Sequence, residues 1–417
     1  MLTECGRKIS IRAAFDFPAL PDQPKNKQKE NAVERQSDNG LLDGLSRRNF
    51  LKKAGSGAAI AGLSGHITTS TFAQQLQVPD PPGKKLGWAI VGLGRLSINQ
   101  ILPAFAKCER SKVVAFVTGS REKGEKLAAR YGVNPKNIYN YQNYEALRDN
   151  PEVDIVYIVL PNGMHAEYTI RAAKAGKHVL CEKPMANTPK DCEEMIRASR
   201  EANRKLMVAY RVRYEPYNQT LIKIAREGEL GPIKVVVSDH GFNIGDPTQW
   251  RLKKDLSGGG SLMDIGIYAL QAARYTTGEE PVEVNAMEFT DRSDVRFKEV
   301  EDTINFQLRF PSGALAQCTS SYGYAGQNRI RVIGVRGWAE LEPATSYTGL
   351  RMRVRKGNVI EERDLGQRDH FALEMDHLSD CVMNNKEILT PGEEGLRDLK
   401  IMMAIYEAAR SGKMVKI

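Results

Sequence analysis

Trp88-Ala89-Ile90-Val91-Gly92-Leu93-Gly94-Arg95-Leu96-Ser97 is the stretch whose reading decides the fold. Four apolar residues bounded by glycine read as a strand buried on both faces. The glycines that follow fit a G-x-G-x-x-small turn. Gly92 serves the tight bend and Gly94 the close approach of backbone to a diphosphate, while Ser97 is small enough to let the next helix pack on the strand. Helix-forming sequence over 98–107 and a second strand at 113–118 supply the strand–turn–helix–strand context that a bare G-x-G lacks.

Outward from this unit the alternation continues. Strands are expected at 153–160, 177–181 and 206–210, with helices at 166–175, closed by Gly176, and at 191–203. This predicts an α/β chain whose N-terminal Rossmann domain, residues 88–211, is a doubly wound parallel sheet. Ligands bind at the carboxyl ends of such strands, where His165, Lys183 and Tyr210 fall. His178 opens a strand and reads as structural. The second strand ends in Thr118-Gly119-Ser120-Arg121-Glu122-Lys123, with no acid for a ribose 2′-hydroxyl but a hydroxyl and two cations for a 2′-phosphate. NADP is therefore the expected cofactor, with Ser120, Arg121 and Lys123 near its phosphate, although Ser120 reads equally as an ordinary N-cap.

Beyond 212 the pattern changes. Strand-like runs at 233–237, 282–289, 303–310, 314–320, 329–333 and 352–355, several joined by short turns, predict a C-terminal α+β domain over 212–417 with an open, largely antiparallel sheet. Helices at 371–384 and 396–411 are expected to pack back on the first domain. The open sheet face calls for a cover, and a homodimer or homotetramer would provide one. Gly258-Gly259-Gly260 precedes a helix expected over 261–276, which places Asp264 and Tyr268 one turn apart on one face. Trp250 and Arg251 read as lining a pocket or as plain packing, and Asp302 as ending a strand.

These motifs resemble the Gfo/Idh/MocA oxidoreductase family. The residues that carry the resemblance are 89–94, Leu160-Pro161-Asn162 with His165, the run 175–184 ending Cys181-Glu182-Lys183-Pro184, and 258–268. The likeness covers 84–417 and falls nearest the glucose–fructose oxidoreductase branch. Its pointers are Ile138-Tyr139-Asn140-Tyr141, Gln249-Trp250-Arg251-Leu252, Val300-Glu301-Asp302 and 391–395, with Tyr268 standing where many members carry His. The resemblance implies Lys183, Tyr268 and Asp264 as catalytic residues, with Lys183 lowering the pKa of Tyr268 as acid/base. Leu96, Pro161, Asn162, Glu182 and Arg211 join the cofactor contacts already named, as do His165, Lys183, Trp250 and Arg251. It further implies a tightly held NADP recycled between an aldose and a second sugar. The alternative is an ordinary NAD(P) sugar or polyol dehydrogenase that releases its cofactor.

Composition narrows the field. Of 417 residues, 41% are apolar and 27% charged, which are globular proportions. The net charge of +9 is no nucleic-acid signature, because residues 1–73 carry 11 Lys/Arg against 7 Asp/Glu and the remainder has no basic block. Six scattered cysteines without a C-x-x-C pair, and histidines without H-E-x-x-H, give no reason to expect a disulfide framework or a metal. Ser46-Arg47-Arg48-Asn49-Phe50-Leu51-Lys52 resembles a twin-arginine export signal. A short apolar run over 54–63 follows, and Thr71-Phe72-Ala73 offers cleavage after Ala73. Residues 1–73 thus read as a disordered tail and signal peptide, and 74–87 as an extended arm. The expectation is a periplasmic enzyme acting on small sugars, with no nucleic-acid partner and no membrane anchor once the signal is removed.

Overall fold

In the computed structural model of the chain, which describes residues 83–417, the leading apolar run forms β1 (Leu86–Val91). Its residues alternate between two hydrophobic clusters: Ala89 and Val91 pack into one, Trp88 and Ile90 into the other. This is why a continuous apolar run, rather than an alternating one, makes the strand. β1 is flanked by β2 (Ser111–Val117) and β4 (Ile155–Ile158) in a six-stranded sheet that also holds β3 (Ile138–Tyr139), β5 (His178–Glu182) and β6 (Leu206–Ala209). The order is β3-β2-β1-β4-β5-β6 with every pairing parallel. Strand order reverses between β1 and β4, the position at which such sheets open a crevice.

The second sheet has nine strands: β7 (Ile233–Gly241), β8 (Glu283–Phe289), β9 (Thr303–Arg309), β10 (Leu315–Ser321), β11 (Gln327–Gly334), β12 (Gly337–Leu341), β13 (Met352–Lys356), β14 (Val359–Arg363) and β15 (Val415–Lys416). Their order is β14-β13-β12-β11-β7-β10-β9-β8-β15, and every neighbouring pair is antiparallel except β7–β10. The expected fold class, a Rossmann sheet with an α+β partner, is the one observed. One face of the second sheet packs on the helix Ile267–Thr277; the other leaves Met287, Phe289 and Leu315 exposed.

Two C-terminal helices pack back on the first domain, and the second of them also reaches the other sheet. His370–Met383 joins the cluster around Trp88 through Phe371, Met375 and Leu378, and Ser379 accepts a hydrogen bond from the Trp88 indole at 3.1 Å. Gly392–Ser411 lays Leu399, Met402 and Ile405 into the other cluster and contacts both β6 and β8. The twin-arginine stretch 46–52, the cleavage position at Ala73 and residues 74–82 of the arm lie outside the described residues. No helix among the described residues is long and apolar enough to cross a membrane.

Candidate active site

The carboxyl ends of β1, β2, β4, β5 and β6 open into a cleft of about 1460 Å³ whose opposite wall comes from the second domain. That exceeds the ~300–1,000 Å³ of an ordinary single-ligand pocket. At one end stands the glycine turn. Gly92 has φ +93°, and a Cβ there would collide with the Val159 carbonyl, so only glycine closes the bend. A Cβ on Gly94 would meet nothing within 4 Å, so its exposed side is open to a ligand. Arg95 and Leu96 line the cleft beside it. Ser97 does not: its hydroxyl is buried and donates to the Gly92 carbonyl at 2.5 Å, bracing the turn from behind.

The end of β2 carries no acid. Thr118, Gly119, Ser120 and Lys123 line the cleft there, with Ser120 accepting from the Lys123 N–H as N-cap and the Lys123 ammonium donating to the Leu93 carbonyl at 3.4 Å. Arg121 corrects the sequence reading. Its guanidinium turns away to Glu125 at 2.8 Å and to the carbonyls of Ile138 at 3.2 Å and Pro135 at 3.3 Å. The loop 135–138 presents acceptors on the outer side of the helix, and the guanidinium satisfies them. An open Gly94 face at a helix start, together with Ser120 and Lys123 in place of an acid, fits a dinucleotide bearing a 2′-phosphate.

The floor of the cleft is built by strand ends. Pro161 and Asn162 line it after β4, and the Asn162 amide donates to the Ser257 carbonyl at 2.8 Å, stitching the two domains. His165 is a second correction. It is fully buried, with Nδ1 2.9 Å from the Pro184 carbonyl and Nε2 2.8 Å from that of Leu160. Burial pushes its pKa down. It clamps the loops that carry Asn162 and Lys183 and presents nothing to the cleft. His178, pushed down to about 4 by burial, accepts from the Lys205 N–H at 3.0 Å, a structural role. Arg211 is buried on the floor, donates to the Thr345 carbonyl at 2.6 Å and stacks against Tyr347 at 4.8 Å and Tyr268 at 5.3 Å. Tyr210, also at a strand end, is buried away from the cleft.

The facing wall depends on the glycine run. A Cβ on Gly259 would strike the Tyr406 hydroxyl, and one on Gly260 the Glu301 carbonyl. The Glu301 carboxylate accepts from the N–H groups of Gly260 at 2.7 Å and Leu262 at 3.0 Å and from Tyr406 at 2.8 Å, so it holds the start of the next helix in place. That helix opens with a wide i→i+5 turn, Leu262–Gly266, before the regular Ile267–Thr277. The wide turn aims Asp264 at the cleft.

Asp264 joins three side chains. Lys183 Nζ lies 3.1 Å from Oδ1 and also donates to the Asp264 carbonyl; Arg251 donates to Oδ2 at 2.9 Å and Tyr322 at 3.0 Å. Burial opposes the Asp264 charge, but Arg251 and Lys183 overcome it and hold the carboxyl well below its usual range. Burial likewise opposes the Lys183 ammonium, and Tyr268, Asp264 and Glu182 together hold its pKa above the ordinary lysine value. The ammonium sits 4.8 Å from the centroid of the Tyr268 ring. The structure thus brings Lys183, Asp264 and Tyr268 together, with Glu182, Arg211, Trp250 and Arg251 around them in the same cleft.

Sequence reading missed His240 and Tyr322. His240 lines the cleft 5.9 Å from the Tyr268 ring, bonded to Ser238 at 3.0 Å and pushed down to about 3 by burial and by Arg211 and Lys183. Asp302, by contrast, does not line the cleft; its carboxylate accepts from the hydroxyls of Thr303 and Ser321. Among the described residues no group of three or more His, Cys, Asp or Glu is placed to hold a metal ion.

Comparison with known proteins adds to this geometry. Residues 86–210 match the model for the Gfo/Idh/MocA oxidoreductase family, NAD-binding Rossmann fold, and 218–340 match a Gfo/Idh/MocA C-terminal domain. An aldose–aldose oxidoreductase from Caulobacter crescentus, solved with glycerol, is 54% identical with a TM-score of 0.79, over 80% of this chain and 100% of that one. The D-xylose 1-dehydrogenase [NADP(+)] of Haloarcula marismortui is 30% identical over 86% of this chain and 99% of that protein. A 3-ketoreductase from Actinomadura kijaniata, solved with NADP and TDP-benzene, shares the fold at 24% identity and a TM-score of 0.70, over 78% of this chain and 98% of that one.

Proposed function

The chain belongs to the Gfo/Idh/MocA family of NAD(P)-dependent sugar oxidoreductases, and from that premise we propose that it couples oxidation of an aldose to reduction of a second sugar on one retained NADP, outside the cytoplasm. The observation that carries the reading is the Lys183–Asp264–Tyr268 cluster facing a dinucleotide cleft whose far end offers Ser120 and Lys123. The resemblance to an aldose–aldose oxidoreductase supports the coupled form.

When bound, NADP supplies the hydride acceptor for one sugar and the hydride donor for the other. The protein supplies position and proton traffic. Asp264, held anionic by two cations, is no base; it orients Lys183, whose ammonium donates to the reacting sugar oxygen. Tyr268, whose ring is flanked by the Lys183 and Arg211 cations, receives as phenolate the hydroxyl proton of the first sugar and returns it to the carbonyl oxygen of the second. Because both half-reactions use one site, the first product leaves before the second substrate enters, a ping-pong order.

Twin-arginine export moves folded proteins, so a cofactor loaded in the cytoplasm travels with the enzyme; outside, no free pool replaces it. Arg47→Lys with Arg48→Lys should leave the protein unprocessed in the cytoplasm, and normal export of that variant would remove this part of the reading. The exposed sheet face bearing Met287 and Phe289 is the proposed homo-oligomer contact, tested by light scattering of the purified protein. The likeness to a D-xylose dehydrogenase favours one competing reading, a dehydrogenase that exchanges its cofactor. Mass spectrometry of material released by denaturing the dialysed protein decides between them: one NADP per chain supports retention, and none supports exchange.

A further inference from the structure

Beneath the cleft floor, β4, β5 and the helix His370–Met383 bring three side chains together. Tyr157 donates its hydroxyl proton to Glu182 Oε1 at 2.7 Å, and Glu374 Oε1 lies 3.4 Å from the same hydroxyl oxygen. Glu182 Oε2 accepts from the Lys183 N–H at 3.2 Å, so this carboxylate is fully engaged and still reaches the cleft. Glu374 is different. It is 0% exposed, and its Oε2 has no hydrogen-bond partner. A hydroxyl has one proton, and the shorter contact gives that of Tyr157 to Glu182. An ionised Glu374 would then have no donor of its own in the buried interior, across one oxygen from a second carboxylate. Buried charge is not sustained that way.

We propose that Glu374 bears a proton at neutral pH and donates it to Tyr157, so that Glu374, Tyr157 and Glu182 form a directed line of donors that fixes one negative charge, on Glu182, beneath Lys183 and Arg211. Glu374 is thus a positioning residue that acts through Tyr157. The groups facing it are Tyr157 from β4, Glu182 from the end of β5, Arg211 and Tyr214 from the turn after β6, and Asp369 and His370 from the start of its own helix. Burial and then the Glu182 charge raise the Glu374 pKa well above the carboxylate range, against the Arg211 charge. Once pH rises past that point, Tyr157 faces two carboxylates and Glu182 loses its fixed orientation. A fall of activity on the alkaline side is therefore expected from Glu374. That kinetic consequence rests on the cleft being the oxidoreductase site, whereas the proton does not.

The test compares wild type with Glu374→Gln, whose amide donates as a carboxylic acid would, and with Glu374→Ala, which cannot donate. Infrared spectra read the carbonyl stretch of protonated carboxylic acids directly. Wild type should show at neutral pH a band that Glu374→Gln lacks and that titrates away in alkali. Glu374→Gln should keep activity within about twofold at neutral pH and shift its alkaline limb upward, whereas Glu374→Ala should lose roughly tenfold or more, the outcome expected when a buried hydrogen-bond partner is left unsatisfied. An infrared band identical in wild type and Glu374→Gln would overturn the proposal, as would Glu374→Gln being as impaired as Glu374→Ala. If no sugar is turned over, the functional reading fails while the infrared difference still decides where the proton sits.

Discussion

Lys183 and Asp264 stand 81 residues apart in the chain and meet with ammonium and carboxylate oxygen 3.1 Å apart, one at the end of a Rossmann strand and the other on a helix of the second domain. Arg251 and Tyr322, both from the second domain, hold the other carboxylate oxygen, so Asp264 is anchored on its own side and Lys183 is positioned against it. The Lys183–Asp264 pair is set by the docking of the two domains.

Asp264→Asn leaves two partly buried cations without their anion. Breaking a fully buried pair costs about 3–5 kcal/mol; this partly exposed one should cost less, and the variant should show a lowered urea midpoint together with a fall in kcat/KM. The pH dependence has a definite sign. The folded pKa of Asp264 lies below its unfolded value, so its contribution is fully present above about pH 4 and is lost as pH falls through the lower folded pKa. Asp264→Asn should remove that acid-side slope from the stability profile.

Tyr268→Phe keeps the ring against Lys183 and Arg211 and removes only the hydroxyl. Turnover should fall by about 10²–10⁴, the usual range for a general acid/base. Cofactor content and thermal midpoint should stay at wild-type values. An equal loss of cofactor would instead make Tyr268 a binding residue.

Lys123 and Arg121 separate the two phosphate candidates. Lys123→Ala should weaken NADP roughly tenfold relative to NAD, for one lost charge-assisted contact. Arg121→Ala should leave that ratio unchanged and cost at most about 1 kcal/mol of stability, because its ion pair with Glu125 is surface-exposed. Titration of the apoprotein with each cofactor, followed by fluorescence, measures both.

Gly94→Ala and Gly260→Ala separate binding from folding. The first adds a methyl where nothing lies within 4 Å, so the protein should melt as wild type while binding its dinucleotide more weakly. The second drives a methyl into the Glu301 backbone at the start of the helix that carries Asp264 and Tyr268 and should cost about 1–3 kcal/mol of stability. Calorimetry on both variants provides the check.

Much of this architecture is legible in the sequence because local pattern and tertiary environment agree there. β1 is uniformly apolar since both its faces are covered, and the glycine turn follows at once. What escapes sequence reading depends on contacts between distant segments. Arg121 and Lys123 are both cations of one helical turn, and the carbonyls of Pro135 and Ile138 decide which of them leaves the cleft. His165 lies at a strand end, as expected of a site residue, but two carbonyls from separate loops claim its ring. His240 and Tyr322 come together because β7 and β10 pair in parallel, with Gly241 opposite Ser321, a register no single strand announces. β12 escapes notice because Glu340 on it is buried between Arg331 and Arg353 of the neighbouring strands, which hides the usual alternation.

The central claim is that one retained cofactor is shuttled between two sugars by one set of protein groups. It is tested most directly by mixing the dialysed protein, with no cofactor added, with an aldose alone and following nicotinamide absorbance. Retention of the cofactor should give a single-turnover rise in reduced nicotinamide, at most one per chain, that a second sugar then reverses. No rise with any aldose, or a rise that appears only when NADP is supplied and continues over many turnovers, would contradict it.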